Sequence, residues 1–329
     1  VTSLGECDSN LACLHGIHLR DDFALRAWPA ADLANPQDCW TLEVHRGQIV
    51  DADPIQRDLG LVTGNLRHEV ISGREHVALT MRSLQDFTET SINADLSRRQ
   101  ISVQCDLWFP GSEALLLYLL HTRVIPAIAA LTRRSAVLHA TATHVPEGAI
   151  VICGRSGVGK STLAAGLISS GALLLGDEPI VIDPGVHRSV AQPSVRSLRL
   201  EQATFAAQLL ANQGWTSHAG HDKSVWSPPI AAGHAEVSPV AAVLVLGERI
   251  QSGSTPDFLR LSPVAAVQAL MDQSHLSIDL IDAQARRFTA AAAIVETTPV
   301  FEVHMPDDAD SIQSAVRLLR AGISEAGVR

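Results

Sequence analysis

Residues 149–161 constrain this chain more than any other stretch. Ala149-Ile-Val-Ile-Cys153 is a continuous apolar run of strand length, and it is followed at once by Gly154, Arg155, Ser156, Gly157, Val158, Gly159, Lys160 and Ser161. That octet satisfies G-x-x-x-x-G-K-S, and Thr162 to Ser170 carries the composition of the helix such a loop requires on its far side. A strand, a glycine-rich loop and a helix in that order form an α/β unit, so the chain is expected to hold a sheet with helices packed on it. The glycines permit backbone conformations closed to other residues, which lets successive N–H groups and the helix start approach phosphate oxygens. In this arrangement Lys160 reaches the outer phosphates and Ser161 offers a hydroxyl to Mg²⁺, with ATP as the phosphoryl donor.

The next question is where carboxylates follow. Gly171 ends the expected helix, Ala172-Leu-Leu-Leu175 reads as a strand, and Asp177-Glu178 comes only 17 positions after Lys160. One short helix and one strand fit in that interval, enough to return the pair to the phosphate end of the loop. One carboxylate is expected to hold Mg²⁺ and the other to accept a proton, with Asp177 as metal holder and Glu178 as base, or the reverse. Glu248, after the apolar run 240–246, is the rival acidic position at the longer spacing many nucleotide hydrolases use.

Composition narrows the rest. The 329 residues allow one or two domains, and 46% hydrophobic with 18% charged is ordinary globular composition. A formal charge of −10 without a long basic run argues against a nucleic-acid partner. No apolar run reaches the length of a membrane span, and no basic stretch followed by an apolar one opens the sequence, so a cytoplasmic location off the membrane is expected. The five cysteines form neither a zinc pattern nor a disulfide framework. Among 25 basic residues only Lys160 and Lys223 are lysines, which directs attention to Lys223, in the polar segment between a helix expected to end near Ala211 and Pro228-Pro229. His218 and His221 in that segment lack a third metal ligand. Arg196 and Arg199 are candidate acceptor or phosphate contacts, and Arg133 and Arg134 are candidates for phosphate or for salt bridges.

The coarse organisation has two parts. Residues 1–20 show no clear period. Between about 21 and 110, short strands alternate with polar turns, at Cys39 to His45, His76 to Met81 and Arg99 to Leu107; Ile101, Val103, Cys105 and Leu107 alternate with polar neighbours. Residues 112–131 read as a helix kinked or divided near Pro126. Beyond it the texture is α/β, with strands at 136–140, 149–153 and 240–246, a helix at 264–271 started by Ser262-Pro263, and a helical pattern at 310–320.

With Leu138-His139-Ala140 before the loop, the loop itself, and the Gly171 turn leading to Asp177-Glu178, residues 139–183 resemble the catalytic domain of the HPr kinase/phosphorylase family and related kinases, similar in fold to phosphoenolpyruvate carboxykinase. Weaker similarity runs through Asp222-Lys223 and the 240–246 strand to Phe301-Glu-Val-His304, and covers about 112–329. The resemblance implies a P-loop kinase domain at 112–329 preceded by a smaller, mainly β accessory or substrate-recognition domain at 1–111. It implies transfer to a hydroxyl, most of all a serine of a peptide or protein, with a small-molecule hydroxyl kinase or a P-loop ATPase or GTPase switch as alternatives, and a homo-oligomer as the assembly. It places His139 beside the phosphates and Lys223 near phosphate or acceptor. The family has two aspartates where this chain has Asp177-Glu178, and the glycine-rich stretch tied to phosphorylase activity has no counterpart here, which favours a kinase of the broader group.

Overall fold

A computed structural model of the chain describes residues 11–14, 17–21, 40–49, 65–71, 73–82, 89–108, 112–195, 197–201, 204–218, 223–229, 237–275, 278–279, 283–306 and 309–326. Mixed α/β architecture with several sheets is distributed over two compact units, residues 1–132 with 276–283, and residues 133–275 with 284–329. The division falls at Thr132 rather than at residue 111, because the helical stretch after residue 111 groups with the first unit.

The first unit is built on a mixed sheet. Its strands are β1 (Leu11–Leu14), β2 (Ile17–Asp21), β3 (Trp40–Ile49), β4 (Asn65–Ile71), β5 (Arg74–Arg82), β6 (Glu89–Asp95) and β7 (Gln100–Trp108), joined by β19 (Ile278–Asp279) from later in the chain. The order is β1-β2-β3-β7-β6-β5-β4-β19, with β4 to β7 an antiparallel meander and β3 parallel to β7. The period-2 pattern expected at residues 101–105 becomes rows of buried side chains across the sheet. Leu66, Leu79, Ile92 and Val103 stand in one row, and Val77, Ala94, Ile101 and Leu42 in another. Strands β1 and β2 lie in the stretch where the sequence shows no period.

After β7 come α1 (Ser112–Leu119), a π-helical turn at Leu120–Val124, and α2 (Ile125–Arg133). The interruption expected near Pro126 is this π-turn. Pro126 has no N–H to donate and its ring crowds the carbonyl four residues back, at Thr122 inside the turn, so widening the ring there relieves both conflicts. Among the described residues no helix is long and apolar enough to cross a membrane.

The second unit carries β8 (Ala136–Leu138), β9 (Ala140–Val145), β10 (Gly148–Cys153), α3 (Lys160–Ser169), β11 (Leu173–Asp177), β12 (Ile180–Asp183), β13 (Val190–Ala191), β14 (Leu198–Leu200), α4 (Phe205–Asn212), β15 (Thr216–His218), β16 (Ser224–Ser227), β17 (Ser238–Leu246), β18 (Asp257–Arg260), α5 (Pro263–Asp272), α6 (Ala283–Thr297), β20 (Val300–His304) and α7 (Ala309–Ala326). At its centre β10, β17 and β20 run parallel, with β9 and β11 continuing antiparallel beyond β10 and β18 beyond β20. The start of β17 also pairs with β13, from which β12 and β8 continue.

All of β10 is buried, and its alternation sorts the two cores. Ile150 and Ile152 pack with residues of α3, α4 and α7, whereas Ala149, Val151 and Cys153 pack with residues of α5 and α6. Helices on both faces explain why this strand reads as an unbroken apolar run. Burying each isoleucine contributes roughly 1.5–3 kcal/mol, so Ile152→Ala would cost about 2–5 kcal/mol. Gly166 sets the approach of α7 to α3, since a Cβ there would stand 2.5 Å from Ile312 Cγ2. Ser262 caps α5 by accepting a hydrogen bond from Ala265 N at 3.4 Å, with Pro263 in the first turn as expected.

Candidate functional site

The three parallel strands end together in chemistry. The C-terminal end of β10 runs into Gly154, that of β17 into Gly247-Glu248-Arg249, and that of β20 into Met305-Pro306. Ligands of open α/β sheets collect outside the carboxyl ends of such strands. Gly154, Gly157 and Gly159 have φ of 150°, 82° and 113°, so the three loop glycines stand where conformations rare for other residues are needed. Gly159 is the N-cap of α3 and supplies no side-chain cap, leaving the first N–H groups of the helix for a ligand.

Lys160 opens α3 and is 4% exposed. Its ammonium has three protons and three short contacts: His139 Nε2 at 2.8 Å, Glu178 Oε1 at 2.9 Å and the Gly154 carbonyl at 3.0 Å, with the Arg155 carbonyl at 3.4 Å. His139 Nε2 also lies 3.1 Å from Glu178 Oε1. A nitrogen that accepts from Lys160 cannot at the same time donate to Glu178. Burial, the Glu178 charge opposing it, and the charges of Lys160 and Lys223 leave the His139 imidazole below its ordinary pKa, which favours the neutral ring accepting from Lys160.

The break that positions His139 lies inside what the sequence presents as one strand, residues 136–140. The chain pairs first with β12 through β8, then with β10 and β11 through β9, and His139 is the residue at the changeover. Its N–H donates to the Gln273 carbonyl at 2.8 Å and its ring stacks on His275 with centroids 5.6 Å apart.

Asp177 and Glu178 occupy different environments. Asp177, last residue of β11, is 6% exposed; it accepts from Thr141 Oγ1 at 2.5 Å and from Arg199 N at 3.1 Å. Burial and the neighbouring Glu178 charge push its carboxyl up to about 6, against the pull of those hydrogen bonds and Lys160. For Glu178 burial also acts upward, but the Lys160 charge and hydrogen bond, His139 and Arg199 outweigh it and hold the carboxyl below its ordinary value.

A cavity of ≈ 180 Å³ opens over the loop, lined among others by Lys160, Ser161, Glu178, Arg199, Lys223 and Arg249. Ser156, Gly157, Gly159 and Thr162 complete the loop's share of its wall. Lys160, Arg199, Lys223 and Arg249 outnumber the carboxylates of Glu178 and Glu201 there, so an anion is favoured. Of the expected loop contacts, Gly154 and Arg155 face Lys160 with their carbonyls, and Val158 lines a neighbouring apolar cavity. Asp177 stands behind the wall rather than on it.

Lys223 reaches the cavity by a route other than the expected polar loop. The segment forms a hairpin of β15 and β16, and β16 pairs with β14 so that Arg199 is opposite Val225 and Leu200 opposite Ser224. This small sheet brings Arg199 and Lys223 to one wall. Arg196, His221 and Asp222 lie outside the described residues, as does the side chain of His218. Arg133 pairs with Asp183 at 3.3 Å, the salt-bridge role rather than a phosphate role.

Glu248 is exposed, lines neither cavity, and accepts through its carbonyl from the His304 ring at 3.1 Å. Its neighbour Arg249 lines both cavities and was not among the residues the sequence singled out. The signal that finds it is position: it follows the carboxyl end of a strand adjacent to the loop strand, where cations meet ligands. Among the described residues no group of three or more His, Cys, Asp or Glu stands ready to hold a metal by itself.

No family model and no curated protein matches the chain. Among solved structures the chain is similar to the HPr(Ser) kinase/phosphatase from Coxiella burnetii, at 15% identity over 57% of this chain and 98% of that one, with a TM-score of 0.32. A match that weak leaves the functional reading to the site itself.

Proposed function

We propose that the chain transfers the γ-phosphate of Mg-ATP to a hydroxyl, and that the acceptor is a serine of a peptide or protein. The observation that carries the reading is the carboxylate of Glu178 within hydrogen-bond reach of Lys160, the lysine of a complete phosphate-loop sequence, on a cavity rich in cations. A hydroxyl that attacks the γ-phosphorus must give up its proton, and Glu178 supplies an acceptor beside the phosphate that moves. The peptide or protein class of acceptor follows from the family resemblance of residues 139–183.

The residues divide the work. Lys160 holds the outer phosphates and the loop glycines admit them. Arg199, Lys223 and Arg249 offset the charge of the transferred group. Glu178 takes the proton of the acceptor hydroxyl as that oxygen bonds to the γ-phosphorus and the bond to the β-phosphate oxygen breaks, releasing ADP. His139 orients Lys160 by accepting one of its protons. Phosphate oxygens arriving at Lys160 compete with Glu178 for its protons, so binding of the donor raises the basicity of Glu178 at the moment a base is required.

A magnesium ion takes hard oxygen donors and keeps several waters, and the Ser161 hydroxyl on the cavity wall fits that preference, leaving Glu178 to the proton. Asp177 would support the ion from behind, through water, since each of its oxygens already accepts a hydrogen bond. When bound, the ion neutralises charge on the phosphates. Incubation with γ-labelled ATP and peptide and metabolite pools, followed by mass spectrometry, tests the reading. A phosphorylated serine is expected; a phosphorylated metabolite moves the acceptor to small hydroxyl compounds, and inorganic phosphate with no phosphoproduct rejects transfer.

A further inference from the structure

His139 falls between two ladders: Leu138 is the last residue paired to β12, and Ala140 the first paired to β10. The run Gln273–His275, which follows α5, fills the gap. Its Gln273 carbonyl accepts from His139 N at 2.8 Å, Ser274 bridges Leu138, and His275 N donates to the Val137 carbonyl at 2.9 Å. This register sets the two rings against each other, with centroids 5.6 Å and planes 23° apart. We infer that His275 is a positioning residue for phosphotransfer: its ring, stacked on His139, holds the imidazole where Nε2 accepts a hydrogen bond from Lys160. The inference rests on the phosphotransfer reading and adds to it a residue that lines neither cavity.

Main-chain bonds fix where the His139 backbone lies, but not where its ring points. The direction matters because Nε2 has a donor and an acceptor in reach, Lys160 Nζ at 2.8 Å and Glu178 Oε1 at 3.1 Å. A neutral ring with Nε2 bare accepts from Lys160. A ring protonated at Nε2 donates to Glu178 instead, which takes an acceptor from the ammonium and engages the carboxylate that has to receive the proton of the attacking hydroxyl. The accepting mode is therefore the productive one. Stacking favours it in two ways. The His275 ring limits rotation of the His139 ring, at a separation within the roughly 4.5–7 Å over which aromatic pairs attract. It also keeps water from one face of the imidazole, and burial is the largest of the influences that hold His139 below its ordinary pKa.

Histidine NMR of the full chain, with long-range proton–nitrogen correlations over a pH series, reads which ring nitrogen of His139 carries a proton and where the ring titrates. In His275→Ala the His139 pKa should rise by about half a pH unit or more and the signature of a bare Nε2 should weaken, while His275→Phe, which keeps a ring on the stack, should restore both. His275→Gln, of similar length and without a ring, should behave as Ala does and carries the comparison if the Ala variant does not fold. With γ-labelled ATP and peptide and metabolite pools, transfer at saturating Mg-ATP should fall about tenfold in the ringless variants and return to within about threefold of wild type with Phe, because a misplaced group costs rate more than binding. An unchanged His139 signature in a folded ringless variant, a transfer rate within twofold of wild type there, or a Phe variant as impaired as Gln overturns the inference. If the wild type yields no phosphoproduct, the phosphotransfer reading fails and the role in the reaction with it, and the NMR comparison separately shows whether His275 holds His139.

Discussion

Lys160 Nζ stands 2.9 Å from Glu178 Oε1, so the cation assigned to phosphate and the carboxylate assigned to the proton are hydrogen-bonded to each other before any substrate arrives. Glu178→Gln tests the base without removing the contact, because the amide oxygen still accepts from Lys160. The variant is expected to bind Mg-ATP within a few-fold of wild type and to lose roughly 10²–10⁴ in transfer rate under saturating substrates. Rapid-quench measurement of phosphoproduct checks it, and a rate within twofold of wild type removes Glu178 from proton transfer.

Lys160→Ala tests the other partner. The three hydrogen bonds of the ammonium disappear, and Glu178, three-quarters buried, loses the charge that holds its carboxyl down. A stability loss on the order of 1–3 kcal/mol is expected in urea unfolding, with the far-ultraviolet CD spectrum unchanged and Mg-ATP heat lost in calorimetry. Full nucleotide affinity in the folded variant contradicts the assignment.

Asp177 gives the pH dependence. Its folded-state carboxyl lies at about 6, above the ordinary 3.8, so the folded state holds the proton more tightly than the unfolded chain. That contribution to stability is complete below about pH 3.8 and is lost as pH rises through about 6; at 1.36 kcal/mol per unit the loss amounts to roughly 3 kcal/mol. Asp177→Asn removes the titration while keeping both contacts, since an amide oxygen can accept from Arg199 N and the Thr141 hydroxyl can turn to accept from the amide nitrogen. The variant's stability relative to wild type should rise between pH 4 and 7, read by chemical denaturation across that range. Magnesium-dependent turnover of the wild type should fall below about pH 6, where Asp177 takes its proton.

The loop was legible because its chemistry is local: glycines, lysine and serine at fixed spacing after an apolar strand specify a backbone shape without long-range information. Asp177-Glu178 was legible by distance along the chain, but the division of environments was not. It depends on Thr141 in a neighbouring strand and on the backbone of Arg199, which no spacing rule joins to β11. His139 stood out by resemblance, yet the strand break that places it comes from β8 and β9 pairing with different partners. Arg249 carries no local signal, standing as one of many arginines beside the candidate carboxylate Glu248. In the first unit, β7 is legible by its alternation and β3 and β5 as short strands between polar turns, whereas β1 and β2 are too short to establish a period.

Lys223 lies far from the loop in sequence. It shares a cavity wall with Lys160, Glu178 and Arg199, and its charge is one of the influences that lower the His139 imidazole, after burial and beside Lys160, against Glu178. Replacing it with Met should therefore raise the His139 pKa, which a pH series of histidine NMR signals follows directly; no rise would mean that the charge does not reach His139. If Lys223 contacts the phosphoryl group mainly during transfer, kcat should fall about tenfold or more while KM for ATP stays within about threefold. Arg should restore the charge effect on His139 but only part of the rate, because a planar guanidinium approaches an oxygen differently from a compact ammonium. An exposed lysine with no such contact would cost less than about 0.5 kcal/mol in stability and nothing in rate. Kinetic parameters of both variants within twofold of wild type would leave Arg199 and Arg249 to balance the transferred phosphate.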